Sequence, residues 1–275
     1  MTDHVKLDDD DVARIADAIA AVGTSDFPPR FVEVCSGLVR ADAAHLSAFF
    51  AHARPAEIFS TRAAPDEIEA LALYLDVGFV LDPFYQMFLS SPADRVDSLA
   101  DIAPDDFRRS EYYAKFFRAL NLRDECGLML PFGEDAALFL SMGVHGANKM
   151  HLEPLQTLLP AISALARRHW TVLTPDRFDG TGRLAAQLEA AFVSFGKSTL
   201  SPREGEIARM ILQGHSSKSI ALALDNSPET IKVHRKRIYT KLDVSSQGEL
   251  LSLFLDALKQ LPAGADGDPL TYLTR

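Results

Sequence analysis

Residues 200–251, LSPREGEIARMILQGHSSKSIALALDNSPETIKVHRKRIYTKLDVSSQGELL, open and close three helices with signals that lie inside the stretch itself. Ser201, Pro202 and Glu204 spell a capping box with proline at the first helical position. Ile207, Met210 and Ile211 form one apolar face, and Gly214 suits the left-handed turn past a helix end. Ser216 or Ser217 can cap a second, short helix that carries Ile220, Ala221 and Leu224 on one face before Asp225, Asn226, Ser227 and Pro228 break it. Ser227 and Pro228 repeat the capping logic, and Glu229 faces the positive end of the helix dipole. A third helix is predicted over about 228–242, which makes the stretch a helix-turn-helix.

The third helix divides into two faces. Ile231, His234 or Arg235, Ile238 and Leu242 recur at helical spacing and should face inward. His234 fits a hydrogen-bonded core position better than an exposed one. Lys232, Arg235, Lys236, Arg237 and Lys241 place five cations and no carboxylate between positions 231 and 242. An isolated run of this kind is ordinarily a solvated face. Here a short helix and a tight turn hold the helix out, which is what a groove-reading helix requires.

These residues resemble the DNA-binding domain of the LuxR family of bacterial transcription regulators, shared with NarL- and FixJ-type response regulators. The matching pieces are L-S-P-R-E at 200–204, Gly214, K-S-I-A at 218–221, S-P-E-T-I-K-V-H at 227–234, I-Y-x-K-L at 238–242, and Val244, Ser245 and Ser246. The resemblance implies base reading by Lys232, Val233 and Lys236, with Thr230, Arg237 and Lys241 suited to phosphates and Arg235 on the same basic helix. It also implies a double-stranded DNA operator, a homodimer, and contact with RNA polymerase at the promoter. Two positions depart from the family: Asp225 stands where glycine is usual in the turn, and Asn226 where an aliphatic residue is usual. Both tolerate turn geometry, but a lost aliphatic anchor at a buried site would cost about 1 to 3 kcal/mol.

The net charge of −10 at first argues against a nucleic-acid partner. Its distribution reverses that. Residues 197–259 hold 10 Lys and Arg against 7 Asp and Glu, whereas residues 1–196 hold 17 against 29. Only the reader is basic, and an acidic companion should confine DNA to one surface. The 275 residues suffice for two domains. Cys35 and Cys126 stand far apart with no metal-ligand spacing, so reduced thiols are expected. No run reaches the roughly 18 apolar residues of a membrane span, and a cytoplasmic location is expected.

Along the chain, Asp8 to Asp11 precede an apolar stripe of Val12, Ile15, Ala16 and Ile19, a predicted structural helix. A second helix reads over 27–39. Residues 45–50 alternate as in a half-buried strand, with 58–61 as its partner. Helical spacing returns over 65–77, Asp82 and Pro83 restart the chain into F-Y-Q-M-F, and a helix carries Tyr112, Tyr113, Phe116 and Phe117. Residues 128–132 and 138–144 predict a hairpin around G-E-D. A long helix follows over about 151–173, with Pro160 as a kink. The predicted organisation is a sensing and dimerisation domain over 1–174, a linker with an amphipathic helix over 175–199, the helix-turn-helix domain over 200–260, and a disordered tail over 261–275. The fold class is an α+β N-terminal domain, a PAS/GAF-like antiparallel sheet flanked by helices, joined to an all-α C-terminal domain.

Residues 65–145 also resemble the sensor domain of LuxR-type quorum-sensing receptors, through Tyr74, Gly78, Phe79, Asp82 and Pro83, Gly127 to Pro131, and the 138–142 strand. Those receptors carry tryptophan four residues before the tyrosine, where this chain has Ala70, and the tyrosine-to-aspartate interval is one residue short. The resemblance implies a pocket in the same place and leaves an acyl-homoserine lactone in it unsupported. Its candidate residues are Tyr74, Asp82, Tyr85, Tyr112, Tyr113 and Ser141. Each aromatic equally suits ordinary core packing, and Asp82 either caps the following helix, accepts a ligand proton, or does both.

No phosphoacceptor receiver pattern is visible. Nor is there a G-x-S-x-G elbow, a phosphate-binding glycine loop, H-E-x-x-H, or paired cysteines with histidine. No catalytic residue, metal site or cofactor is therefore expected. The sequence reads as a transcription regulator controlled by a small-molecule inducer. The alternative is a ligand-independent regulator whose N-terminal domain only dimerises or binds a protein partner.

Overall fold

The computed structural model describes residues 7–116, 120, 122–146, 149–178, 182–262, 264, 265 and 267–273. Helices α1 (Asp9–Ala21) and α2 (Phe27–Val39) lead into strands β1 (Ala43–Phe50) and β2 (Ala56–Ser60). Helix α3 (Pro65–Asp76), a 3-10 turn at Gly78–Leu81 and α4 (Pro83–Ser90) cross over to β3 (Arg95–Ser98). Short helices α5 (Leu99–Ile102) and α6 (Glu111–Phe116) precede the hairpin of β4 (Asp124–Pro131) and β5 (Ala136–Val144). Helices α7 (Glu153–His169) and α8 (Gly182–Ser194) then connect to α9 (Pro202–Leu212), α10 (Ser217–Ala223), α11 (Pro228–Leu242) and α12 (Gln247–Lys259).

The strands form one sheet in the order β2-β1-β5-β4-β3, and every neighbouring pair is antiparallel. The predicted β1–β2 pairing and the β4–β5 hairpin are both present. Strand β3, four residues of R-V-D-S, was not foreseen, because so short a segment shows no readable alternation.

The strand expected to be half-buried is buried on both faces, as β5 is. One face carries Leu46, Leu128, Leu140 and Met142 against Phe31, Cys35, Leu155 and Ile162 of α2 and α7. The other meets α4 and α6, with Phe49 stacked on Phe139 at 4.5 Å and Phe84 tilted onto Phe139 at 5.0 Å. Gly127 makes that second contact fit, since a Cβ there would lie 2.5 Å from the Phe84 ring. This aromatic layer continues without a break into the apolar interior of α8, α9, α11 and α12.

Helix α1 is seated by part of its stripe, with Ile15 packed on the core while Val12 is 55% exposed and Ile19 58%. Asp11 and Ala18 are buried on its seated side, and the Arg14 guanidinium lies over Gly37 of α2. Two outer segments depart from expectation. The tail, expected to be disordered, folds back over residues 267–273, where Asp268 accepts hydrogen bonds from Gly196 N at 3.0 Å and Ser198 N at 2.8 Å. Phe192 and Phe195, in and just after α8, pack edge-on against Phe254 of α12, so the amphipathic linker helix belongs to the reader's core. Phe117 and residues 179–181 of the expected linker lie outside the described residues.

Candidate nucleic-acid interface and sensor cavity

The reader is built cap by cap. Ser201 and Glu204 close their capping box, Ser216 accepts from Lys218 N and Ser219 N, and Ser227 accepts from Thr230 N. In the turn, Asp225 takes the left-handed conformation, φ 49°, that glycine usually supplies. Asn226 donates its N–H to Ala221 O at 2.8 Å, and its side chain is exposed. The aliphatic residue it replaces would have met water, so the cost expected of that change does not arise.

Helix α11 is anchored by Ile231, Ile238 and Leu242, all buried. Lys232, Val233, Lys236 and Arg237 stand exposed, at spacings that place them on one face. Val233 is an apolar side chain half open to solvent among cations. The other three candidates are engaged within the protein. Thr230 belongs to the N-cap, with its hydroxyl 2.9 Å from that of Ser227. Arg235 is half-buried between Ser217 Oγ at 3.4 Å and Tyr239 OH at 3.3 Å. Lys241 Nζ lies 2.6 Å from Glu204 Oε2, tying the end of α11 to the start of α9. His234 is half-buried as expected, but among the described residues its Nδ1 has no hydrogen-bond partner.

The reader rests on the N-terminal domain. Asp105 accepts from Ser216 N at 3.1 Å and Ser216 Oγ at 2.6 Å, adding a second carboxylate cap to α10. Gly214, at φ +92°, lies against Phe107, where a Cβ would come within 2.9 Å of the backbone. A Cβ on Gly248 of α12 would sit 3.1 Å from the Glu111 carboxyl carbon in α6. These contacts leave the exposed face of α11 clear.

A second site lies between the sheet and α3, α4 and α6. Tyr74 OH donates to Asp82 Oδ2 at 2.5 Å, and Asp82 Oδ1 accepts from Phe84 N at 2.8 Å. The aspartate is therefore both the cap of α4 and a cavity wall. Burial pushes its pKa up to about 6, against the hydrogen bonds from Tyr74, Phe84 and Tyr85. Across the cavity, Ser141 Oγ donates to Glu125 Oε1 at 2.5 Å. Burial pushes Glu125 up to about 7, the Ser141 hydrogen bond opposes this, and nearby Asp82 adds to it. His45 and Arg62 complete the polar lining, and Ala70, Leu71, Phe116, Leu120 and Phe139 supply the apolar part of a space of about 40 Å³. Burial and Arg62 hold His45 down to about 3, so its ring is neutral, and the Glu57 carboxylate 3.7 Å away forms no charged pair with it.

Of the six pocket candidates, Tyr74, Asp82 and Ser141 line this cavity. The other three do not, and each has a packing reason. Tyr85 donates its hydroxyl to Phe50 O at 2.9 Å. Tyr112 is buried with its ring 4.7 Å from Phe116 and 5.8 Å from Phe107. Tyr113 meets Phe107 edge-on at 5.8 Å. His45, Arg62 and Glu125 were missed. Glu125 stands at the edge of the apolar run C-G-L-M-L, where it reads as an ordinary strand end; His45 is placed by strand register, opposite Ser141, and Arg62 lies two residues past the end of β2.

The family model described as "Bacterial regulatory proteins, luxR family" matches residues 198–254. An HTH-type transcriptional regulator in the exeN 3' region of Aeromonas salmonicida is 31% identical over 192 residues, which span 66% of this chain and 97% of that protein. The transcriptional regulatory protein FixJ of Bradyrhizobium diazoefficiens is 40% identical over 60 residues, 22% of this chain and 29% of that one. Among solved structures, the VqsR LBD domain of Pseudomonas aeruginosa superposes with a TM-score of 0.52 at 20% identity, covering 59% of this chain and 97% of that chain. It shares the fold of the sheet and its helices. With a capped helix-turn-helix, an α+β companion domain and a relative matched over nearly its whole length, this chain belongs to the LuxR family of bacterial transcription regulators.

Proposed function

We propose that this regulator is controlled by a small molecule bound at the cavity between Tyr74, Asp82, Glu125 and Ser141. The carrying observation is that buried polar side chains with hydrogen-bonding capacity to spare converge on a cavity whose wall also carries the reader. Phe116 of α6 faces the cavity, and the same helix packs against α12. A ligand larger than about 40 Å³ must move that wall, since pockets for drug-sized ligands run to roughly 300 Å³ or more. Movement of α6 then shifts the seat of α12, which is how occupancy reaches the reader.

In this reading α11 enters the major groove. Lys232 and Lys236 donate to base edges, Val233 packs against a thymine methyl, and Arg237 meets phosphate. The acidic N-terminal domain keeps DNA on that face. A homodimer supplies two such helices for half-sites about one helical turn apart, and the exposed Val12, Ala16 and Ile19 of α1 offer an apolar contact for it. The small size of the cavity favours a second reading, a ligand-independent regulator whose N-terminal domain only assembles the dimer.

Native mass spectrometry of the purified protein, with operator binding measured before and after removal of whatever co-purifies, separates the two. A retained molecule whose removal changes operator affinity supports the sensor. No retained molecule, together with unchanged DNA affinity for Asp82→Ala, supports the assembly module. Sedimentation reports the oligomeric state in either case, and a monomer at micromolar concentration with and without DNA would remove the dimer.

A further inference from the structure

The cavity has two chemically different ends, and this inference rests on the sensor reading. At one end the hydrogen bonds are used up: both Asp82 oxygens are engaged, by Tyr74 OH and Phe84 N. At the other they are not. Glu125 gives one oxygen to Ser141, and its buried Oε2 has no hydrogen-bond partner. The buried Nε and Nη1 of Arg62 have none, and neither ring nitrogen of His45 has one. Arg62 and Glu125 are close enough to act on each other electrostatically, yet the buried Nε and Nη1 of Arg62 do not bond Glu125 Oε2. Buried polar atoms are almost always partnered, and leaving one unpaired opposes folding.

The unpaired atoms define what fits above pH 7, where Glu125, pushed up to about 7 by burial, is ionised. Its Oε2 then takes a donor and Arg62 takes an acceptor, while neutral His45 provides one of each. A simple amine would satisfy Glu125 but set its charge beside Arg62. A carboxylate would satisfy Arg62 but face both Glu125 and Asp82. We infer that this end of the cavity receives a neutral polar head with donor and acceptor on adjacent atoms, a carboxamide or lactam, whose N–H donates to Glu125 Oε2 and whose carbonyl oxygen accepts from Arg62. An ester or lactone of the same shape brings acceptors only and leaves Glu125 unpaired. Sites built to hydrogen-bond a ligand N–H or O–H reject isosteres that lack it, because the protein's own group is then stranded.

The test uses two fragments of nearly equal shape, 2-pyrrolidinone and γ-butyrolactone, titrated against the full chain by saturation-transfer NMR at pH 8.5, where Glu125 is ionised. Pyrrolidinone should half-saturate at about a tenfold lower concentration or less. Glutamine offers either a donor or an acceptor, so in Glu125→Gln the two fragments should come within about twofold of each other. Arg62→Met should weaken both, and circular dichroism with a thermal melt verifies that each variant folds. Equal binding of the two fragments to the native chain, tighter binding of the lactone, or a preference that survives in Glu125→Gln would overturn the inference and leave the sensor reading standing. Failure of both fragments to bind also overturns it, whereas the sensor reading is judged separately by the native mass spectrometry above.

Discussion

Glu204 in the reader and Glu125 in the N-terminal domain are buried to nearly the same extent, 4% and 6% exposed, and their carboxyls behave in opposite ways. Lys241 and the Ser201 cap hold Glu204 down to about 2, with burial a lesser, opposing influence. Glu125 is pushed up to about 7 by burial, which its single hydrogen bond from Ser141 does not offset. The difference lies in depth and company. Glu204 sits under a thin cover of its own helix cap and one lysine, with solvent close behind. Glu125 lies between a sheet and a layer of helices. Burial of a carboxylate therefore says little by itself; what matters is whether the fold has already supplied its partners. In the reader the polar groups are consumed in building the helices, and in the N-terminal domain some are left over.

The largest effect that would sharpen this contrast is a stability gain. Glu125 and Asp82 hold protons more tightly folded than unfolded, so their contribution is full below about pH 4 and is lost as pH rises through 6 to 7. Glu125→Gln should remove much of that loss, leaving stability at pH 5 nearly unchanged and raising it at pH 8 by about 3 kcal/mol. Denaturant melts at the two pH values would show it, and an equal change at both would mean Glu125 is already partnered.

Next in size are the reading residues. Lys232→Ala or Lys236→Ala should each cost roughly 1 to 3 kcal/mol on the cognate operator and relax preference at one base pair per half-site. A library of operator variants at several salt concentrations reports this, and uniform loss across all sequences would make α11 a phosphate clamp. Glu204→Ala should cost about 1 to 2 kcal/mol in stability, the size of a lost cap. Because the Glu204 pKa is lowered, the advantage of the native residue should be full above about pH 4.5 and fade toward pH 2, which a pH series of melts would track. The smallest change belongs to the exposed pair of Lys232 and Glu229, 3.7 Å apart, where Glu229→Gln should alter stability by no more than about 0.5 kcal/mol.

The same contrast explains what could be read from the residues alone. Three of the reader helices announce themselves within five or six positions, so Ser201 and Ser227 were identified as caps, Ser216 as one of two candidates, and α11 was placed correctly. Even there, Lys241 looked free because Glu204 is 37 positions away. The cavity is assembled from β1, the end of β2, α3, α4, α6 and the hairpin, and its members meet through sheet register and through the packing of helices on the sheet. Tyr74, Asp82 and Ser141 were found by likeness to a sensor family. His45 and Arg62 had no such pointer, and Tyr85 and Tyr112 gave the opposite error, since a tyrosine in an aromatic run suits a core as well as a pocket. The α1 stripe shows a related limit: periodicity identifies an apolar face without saying which of its residues the fold covers, here Ile15 but neither Val12 nor Ile19.

The fold-back of residues 267–273 bears on how the reader can be handled in the laboratory. Asp268 clasps the joint after α8 through Gly196 and Ser198, and Gln187 within α8 reaches Pro262 O, Ala265 O and Gly264 N. Helix α8 is thereby held by the folded-back tail at its middle and just past its C-terminal end, and serves as the reader's handle. A fragment cut to residues 197–259 would keep the exposed basic face of α11 but lose both the handle and the strap. Such a fragment would report the grip of a loose hand, whereas in the full chain the wrist is set as well.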